Sequence, residues 1–158
     1  MADKRMICTS VVSSDSFLEL SFEAQALYIQ LTMAADNFGF VSGVKRIMRG
    51  MGASDTALDA LKDGRFVIPF DSGIIVISQW FVANWGGDFA KNDRRLTTTF
   101  LDELSRLDVD PMGGYVLKDN SRPIHSVGSP NSIQYKVIAY IQGLLSQSDN
   151  QCEVEYAF

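Results

Sequence analysis

Side chains suited to covalent or metal chemistry are few and scattered in this sequence. The single histidine, His125, stands among Arg122, Pro123, Ser126 and Gly128, with no carboxylate at a fixed spacing to orient it. General acid–base work needs a titrating group held within hydrogen-bond reach of its partner, and that arrangement is missing. Asp108, Asp110 and Asp119 belong to the same polar region, where a hydrated acidic surface is their ordinary account. Cys8 and Cys152 lie near opposite ends of the chain. They form neither a zinc-ligand pair nor a disulfide framework, which fits a reducing compartment. No phosphate-cradling glycine loop and no G-x-G-x-x-G motif is present. Catalysis is not expected, nor is a metal or cofactor.

A second set of residues suits binding to nucleic acid. Lys45, Arg46 and Arg49 recur within one short segment, and Arg65, Lys91, Arg94 and Arg95 follow. At 100° per residue the first three fall within an arc of about 100° on a helix, opposite Val44, Ile47, Met48 and Met51. Cations so placed can lie along phosphates beside a groove. Ser54 and Thr56 open the next helix, where the dipole also favours an anion. Other features oppose base reading. The exposed positions of that helix are Asp55, Thr56, Asp59, Lys62 and Asp63, and three carboxylates repel phosphate. The turn Asp71-Ser72-Gly73 carries no cation. The net charge is −5, whereas duplex binders usually present a basic face. Binding thus requires the cations to be segregated from acids such as Asp108, Asp110, Asp119, Asp149, Glu153 and Glu155. Trp80, Phe81, Trp85 and Phe89 have faces on which single-stranded bases could stack, but core packing is the expectation for them.

The elements that must carry these residues can be read from spacing. Ser21 is an N-cap and Glu23 sits in the first turn of a helix over about 21–36. Its buried face is Leu20, Ala24, Leu27, Tyr28, Leu31, Ala34 and Ala35. Asp36-Asn37 ends it, and Gly39-Phe40-Val41-Ser42 reads as a short extended piece. A second helix spans about 44–51. Ser54 caps a third over about 55–64, with Ala57, Leu58 and Leu61 inward and Gly64 as its stop. The period then changes. Phe66–Phe70 and Ile74–Ile77, separated by Asp71-Ser72-Gly73, predict a hairpin over 66–79, with Pro69 on an edge strand. Leu96, Phe100, Leu104 and Leu107 predict a helix over 96–107. Residues 108–132 read as a linker or long loop. Ile133 to Leu145 reads as an amphipathic helix, followed by a tail of flexible composition.

Hydrophobic residues make up 46% of the 158-residue chain, ample for a core. No apolar run approaches the roughly 18 residues of a membrane span, and the start leads into no export signal. A membrane role is not expected. The reading is an α+β, mostly α, winged helix-turn-helix domain over 1–107, a linker over 108–132, and a C-terminal helical appendage over 133–158. The apolar face of that appendage (Ile133, Val137, Ile138, Ile141, Leu144, Leu145) needs cover. A second copy of the chain, giving a homodimer, is the expected partner.

The first two-thirds of the chain resembles the N-terminal domain of phage replisome-organizer proteins. The likeness rests on Arg5-Met6-Ile7, the Ser14-x-x-Phe17-Leu18 step and the Ser21-x-x-x-Gln25-Ala26-Leu27-Tyr28 helix. It continues through Ala35-Asp36-x-x-Gly39-Phe40-Val41 and Lys45-x-Ile47-Met48-Arg49-x-x-Gly52-Ala53-Ser54. Ser78-Gln79 before Trp80 and Ala83-Asn84 after it depart from the family pattern of Lys-His and His-Asn. The resemblance implies a cytoplasmic winged-helix protein of a phage or prophage that binds origin DNA and meets host replication proteins. A second reading keeps the scaffold but not the DNA. In it the acidic chain binds and inhibits a host or defence protein, such as a nuclease with a basic nucleic-acid channel.

Overall fold

The computed structural model describes residues 5–85, 98–118 and 132–156, the last nine of these as helix backbone alone. The chain is mixed α+β and rich in helix, and it divides into two units, Met1–Thr98 and Thr99–Phe158.

The first unit opens with two four-residue helices, α1 (Thr9–Val12) and α2 (Asp15–Leu18). Neither is long enough to show a period in sequence. The Ser14 hydroxyl caps α2 by accepting the Phe17 N–H, and Phe17 is buried. The central helix α3 (Phe22–Ala34) starts as its capping sequence predicts, with Ser21 Oγ accepting the Ala24 N–H at 3.1 Å. It buries Ala24, Leu27, Tyr28, Leu31 and Thr32, while Ala34 is exposed. Phe17, Tyr28 and Phe66 pack edge to face, with ring centroids 5.4–6.0 Å apart, a geometry suited to the ring quadrupoles.

A tight turn follows α3. Asp36 Oδ1 accepts the N–H groups of Phe38 and Phe40 at 2.8 and 3.0 Å, and Oδ2 accepts the Thr98 hydroxyl. Burial pushes the Asp36 carboxyl above the usual carboxylate range. The Thr98 hydroxyl, the Phe40 and Phe38 N–H groups and the Arg5 charge oppose that shift. Gly39 takes φ +86°, and a side chain there would meet the Trp80 ring at 2.7 Å. The Trp80 indole N–H donates to the Asn37 carbonyl at 2.8 Å.

The turn leads into β1 (Phe40–Val41), α4 (Val44–Met51), α5 (Asp55–Asp63), β2 (Val67–Pro69) and β3 (Ile75–Ile77). The three strands form one antiparallel sheet in the order β1–β3–β2. Phe40 faces Val76, and Pro69 faces Ile75. Pro69 thus lies on an edge strand, where its missing N–H costs no ladder bond. Phe40, Val41, Val67, Ile75, Val76 and Ile77 are all buried. A short helix absent from the sequence reading, α6 (Trp80–Asn84), closes the unit and buries Trp80 and Phe81.

The second unit corrects several expectations. The helix predicted over 96–107 is α7 (Leu101–Ser105), and Leu107 starts a strand instead. Residues 108–132 are not all linker. β4 (Leu107–Val109) and β5 (Tyr115–Leu117) form an antiparallel hairpin. Asp110 builds its loop, with Oδ1 accepting the Met112 and Gly114 N–H groups at 2.9 Å. Gly113 supplies φ +92°, so the turn residues taken as linker composition are the hairpin's loop.

The last helix, α8, runs Ile133–Tyr156, well past the expected Leu145 and through the segment read as a flexible tail. It packs on β4 and α7. Val137 and Ile141 are buried within this unit, and the Gln134 amide donates to the Val109 carbonyl at 2.9 Å. Those two apolar residues are core, which corrects their assignment to a dimer interface. Ile133, Ile138, Leu144 and Leu145 are half-buried.

Candidate nucleic-acid interface

Glycines set both ends of α4. Gly43 precedes it at φ +67°, and Gly52 follows at φ +70°. The Ala53 N–H reaches back to Met48 O at 2.9 Å and the Gly52 N–H to Arg49 O at 3.2 Å, the paired closure of a left-handed helix cap. Val44 and Met48 face the core, whereas Lys45, Arg46 and Arg49 are exposed. Ile47 is half-buried, and Met51, expected on the inner stripe, is exposed. The expected basic face therefore exists as a surface.

Arg65 joins these cations through an unusual backbone. α5 ends with Phe66 N–H to Leu61 O and Arg65 N–H to Lys62 O, both 3.0 Å. In that closure Arg65 itself is the left-handed residue, at φ +59°, the one non-glycine with positive φ among the described residues. Glycine is the usual occupant of such a position. Gly64 follows the last residue of α5 as expected and meets a second need. A Cβ there would lie 2.6 Å from the Phe66 ring. The Ser78 hydroxyl donates to the Arg65 carbonyl at 2.8 Å and fixes the corner, while the Arg65 side chain remains exposed.

The neighbouring α5 surface has the opposite sign. Asp55, Asp59 and Asp63 are exposed at four-residue intervals and therefore share one stripe, beside half-buried Lys62. Ser54 and Thr56 are exposed too, but the N-terminus of α5 already holds an anion. The Ser54 N–H donates to Glu23 Oε1. A carboxylate from α3 satisfies the dipole end where a phosphate was expected. The Ser54 and Thr56 side chains stay exposed beside that carboxylate. The signal was Glu23 itself, which the sequence reading assigned only to the first turn of its own helix.

Lys91, Arg94 and Arg95 lie outside the described residues, as do His125 and Phe89. Trp80 and Phe81 are core, with Phe81 edge to face against Phe38 and Trp85 at 5.8 and 5.7 Å. They are not available for base stacking.

The Arg5-Met6 start is also structural. The Arg5 guanidinium stacks on the Trp80 ring at 5.6 Å and donates to Ala35 O at 2.9 Å. The Asn84 amide clasps Met6 through both its N–H and its carbonyl, each at 3.1 Å. Asn84 thus holds the N-terminal segment against α6.

Among the described residues, no group of three or more His, Cys, Asp or Glu side chains is placed to hold a metal ion. No described helix is long and apolar enough to cross a membrane. No known protein family, curated protein or solved structure matches the chain.

Proposed function

We propose that residues 1–98 form a winged-helix domain that binds duplex DNA through its phosphate backbone, as part of a phage or prophage replication protein acting in the host cytoplasm. The order helix, strand, helix, helix, hairpin, with the first strand paired to the hairpin, supports the winged-helix reading. One observation carries the DNA reading. Lys45, Arg46 and Arg49 stand exposed on one arc of α4, and Arg65 is kept at a backbone position that disfavours it. Non-glycine residues held in the left-handed region tend to cluster at functional sites.

The acidic stripe of α5 sets the limit of this activity. Asp55, Asp59 and Asp63 repel phosphate, so α5 does not seat deeply in a groove, and binding is weak and largely independent of sequence. Charge reversal separates the two faces. Lys45→Glu, Arg46→Glu and Arg49→Glu together abolish retention of a generic duplex in low salt, whereas Asp55→Asn, Asp59→Asn and Asp63→Asn together strengthen it. Equal affinity of both variants and the wild type would sink the proposal.

The same stripe favours a second reading, in which α5 meets a basic nucleic-acid-binding protein and inhibits it. Under that reading the wild type ignores DNA even at low salt, and the α5 triple variant loses its protein target. Recognition of an origin and recruitment of host replication proteins are proposed on the resemblance alone.

A further inference from the structure

α5 lacks half of its helix cap, and a side chain of α3 supplies it. In a capping box the acid at the third helical position reaches back to the N–H of its own N-cap. After Ser54, the N-cap of α5, that position is Ala57, and the Ser54 hydroxyl makes no capping bond. After Ser21, the N-cap of α3, it is Ala24, and the acid Glu23 stands one residue early. Glu23 is thus misplaced for its own box and instead accepts the Ser54 N–H across 31 residues of chain.

The contact fixes a charge as well as a helix end. The Gly52 and Ala53 N–H groups bond back to Arg49 O and Met48 O at 3.2 and 2.9 Å. Ser54, the residue that Glu23 grips, follows them directly, so the carboxylate is anchored at the Arg49 end of the basic arc. A backbone N–H orients a carboxylate but brings no compensating charge. Glu23 is exposed, so an approaching phosphate meets it. An ordinary surface carboxylate swings away from a phosphate, whereas Glu23 gives up its contact with α5 if it does so.

We infer that Glu23 is a positioning and specificity-determining residue for the duplex binding proposed above, and the inference rests on that reading. Its oxygen orders the start of α5, and its charge keeps phosphate off the turn between α4 and α5. The duplex is then gripped from the α4 arc and Arg65, without help from the turn. The two roles separate chemically. Positioning needs an acceptor oxygen on the side chain, and exclusion needs its charge. Glutamine keeps the first and loses the second, and alanine loses both.

Fluorescence anisotropy on a generic duplex at about 0.1 M salt reads the charge, because screening over about 10 Å confines the effect to groups near the interface. Glu23→Gln should bind about two- to fivefold more tightly than the wild type, as expected from removing one repulsion at about 4–8 Å in water. Asp15→Asn, the same change of charge in the first turn of α2, should leave affinity near that of the wild type. Glu23→Ala should gain affinity as the glutamine variant does, yet melt about 2–8 °C earlier. Its Ser54 amide, followed by NMR without DNA, should exchange with solvent faster than in the wild type or Glu23→Gln.

A wild type that binds duplex no less tightly than Glu23→Gln overturns the inference and leaves the DNA reading in place. So does a gain that Asp15→Asn equals. Ser54 exchange at one rate in all three proteins overturns the positioning role. Absence of duplex affinity in the wild type and in both Glu23 variants overturns the inference and the DNA reading together.

Discussion

Replacing Arg65 by glycine should make the protein more stable and a poorer DNA binder at once. The backbone at Arg65 stands at φ +59°, where a side chain costs about 1–2 kcal/mol. Glycine removes that strain but returns about 0.5–1 kcal/mol through its freer unfolded chain. The balance is a gain on the order of 0.5–1 kcal/mol. For the unit Met1–Thr98 that corresponds to roughly 2–8 °C in Tm. The exposed guanidinium is lost in the same step, so the slope of log K against log salt for a duplex should fall by about 0.9 if it contacts one phosphate. Arg65→Ala is the control. Alanine keeps the left-handed strain, so its Tm should stay near the wild type while its DNA affinity drops as far as that of glycine. Differential scanning calorimetry and fluorescence anisotropy on the same samples supply both readings. A glycine variant that melts earlier would refute the strain argument, and one that binds as the wild type does would remove Arg65 from the interface.

Two further substitutions probe the turn after α3. Gly39→Ala places a methyl group within 2.7–2.9 Å of three Trp80 atoms at φ +86°. Left-handed strain and overpacking together should destabilise by about 3 kcal/mol or more, seen as a lower urea midpoint at unchanged m. A loss under about 1 kcal/mol would show that Trp80 moves freely away. Asp36→Asn tests the raised carboxyl. Because the folded pKa lies above the unfolded value, the folded state holds the proton more tightly. The resulting stability is complete below the ordinary value of 3.8 and is lost as pH rises through the folded pKa. The wild type should therefore gain on the asparagine variant as pH falls from 7 toward 4, and denaturant titrations that stay parallel across that range would contradict the assignment.

Much of the first unit was legible because each local choice there agrees with its neighbours. Ser21 caps α3, Asp71-Ser72-Gly73 turns the hairpin between β2 and β3, and Pro69 marks an edge strand, all from chemistry acting within a few residues. What escaped depends on distance or brevity. α1, α2 and α6 are each shorter than two turns, so no period forms. The β4–β5 hairpin hid behind Asp110, Gly113 and Gly114, whose turn chemistry and linker composition look alike in sequence. The candidate surface divides in the same way. The basic arc of α4 follows from helical geometry alone. That Glu23 occupies the start of α5, and that Arg65 rather than Gly64 is the left-handed residue, follows from packing against Ser54 and Phe66.

The salt dependence of duplex binding addresses the central claim most directly. If Lys45, Arg46, Arg49 and Arg65 each neutralise one phosphate, the slope of log K against log salt should be about −3 to −4. Replacing the three α4 cations by alanine should flatten it by roughly two to three units. A slope unchanged by the triple substitution, or a wild type without measurable affinity at low salt, would contradict the assignment of this face to DNA.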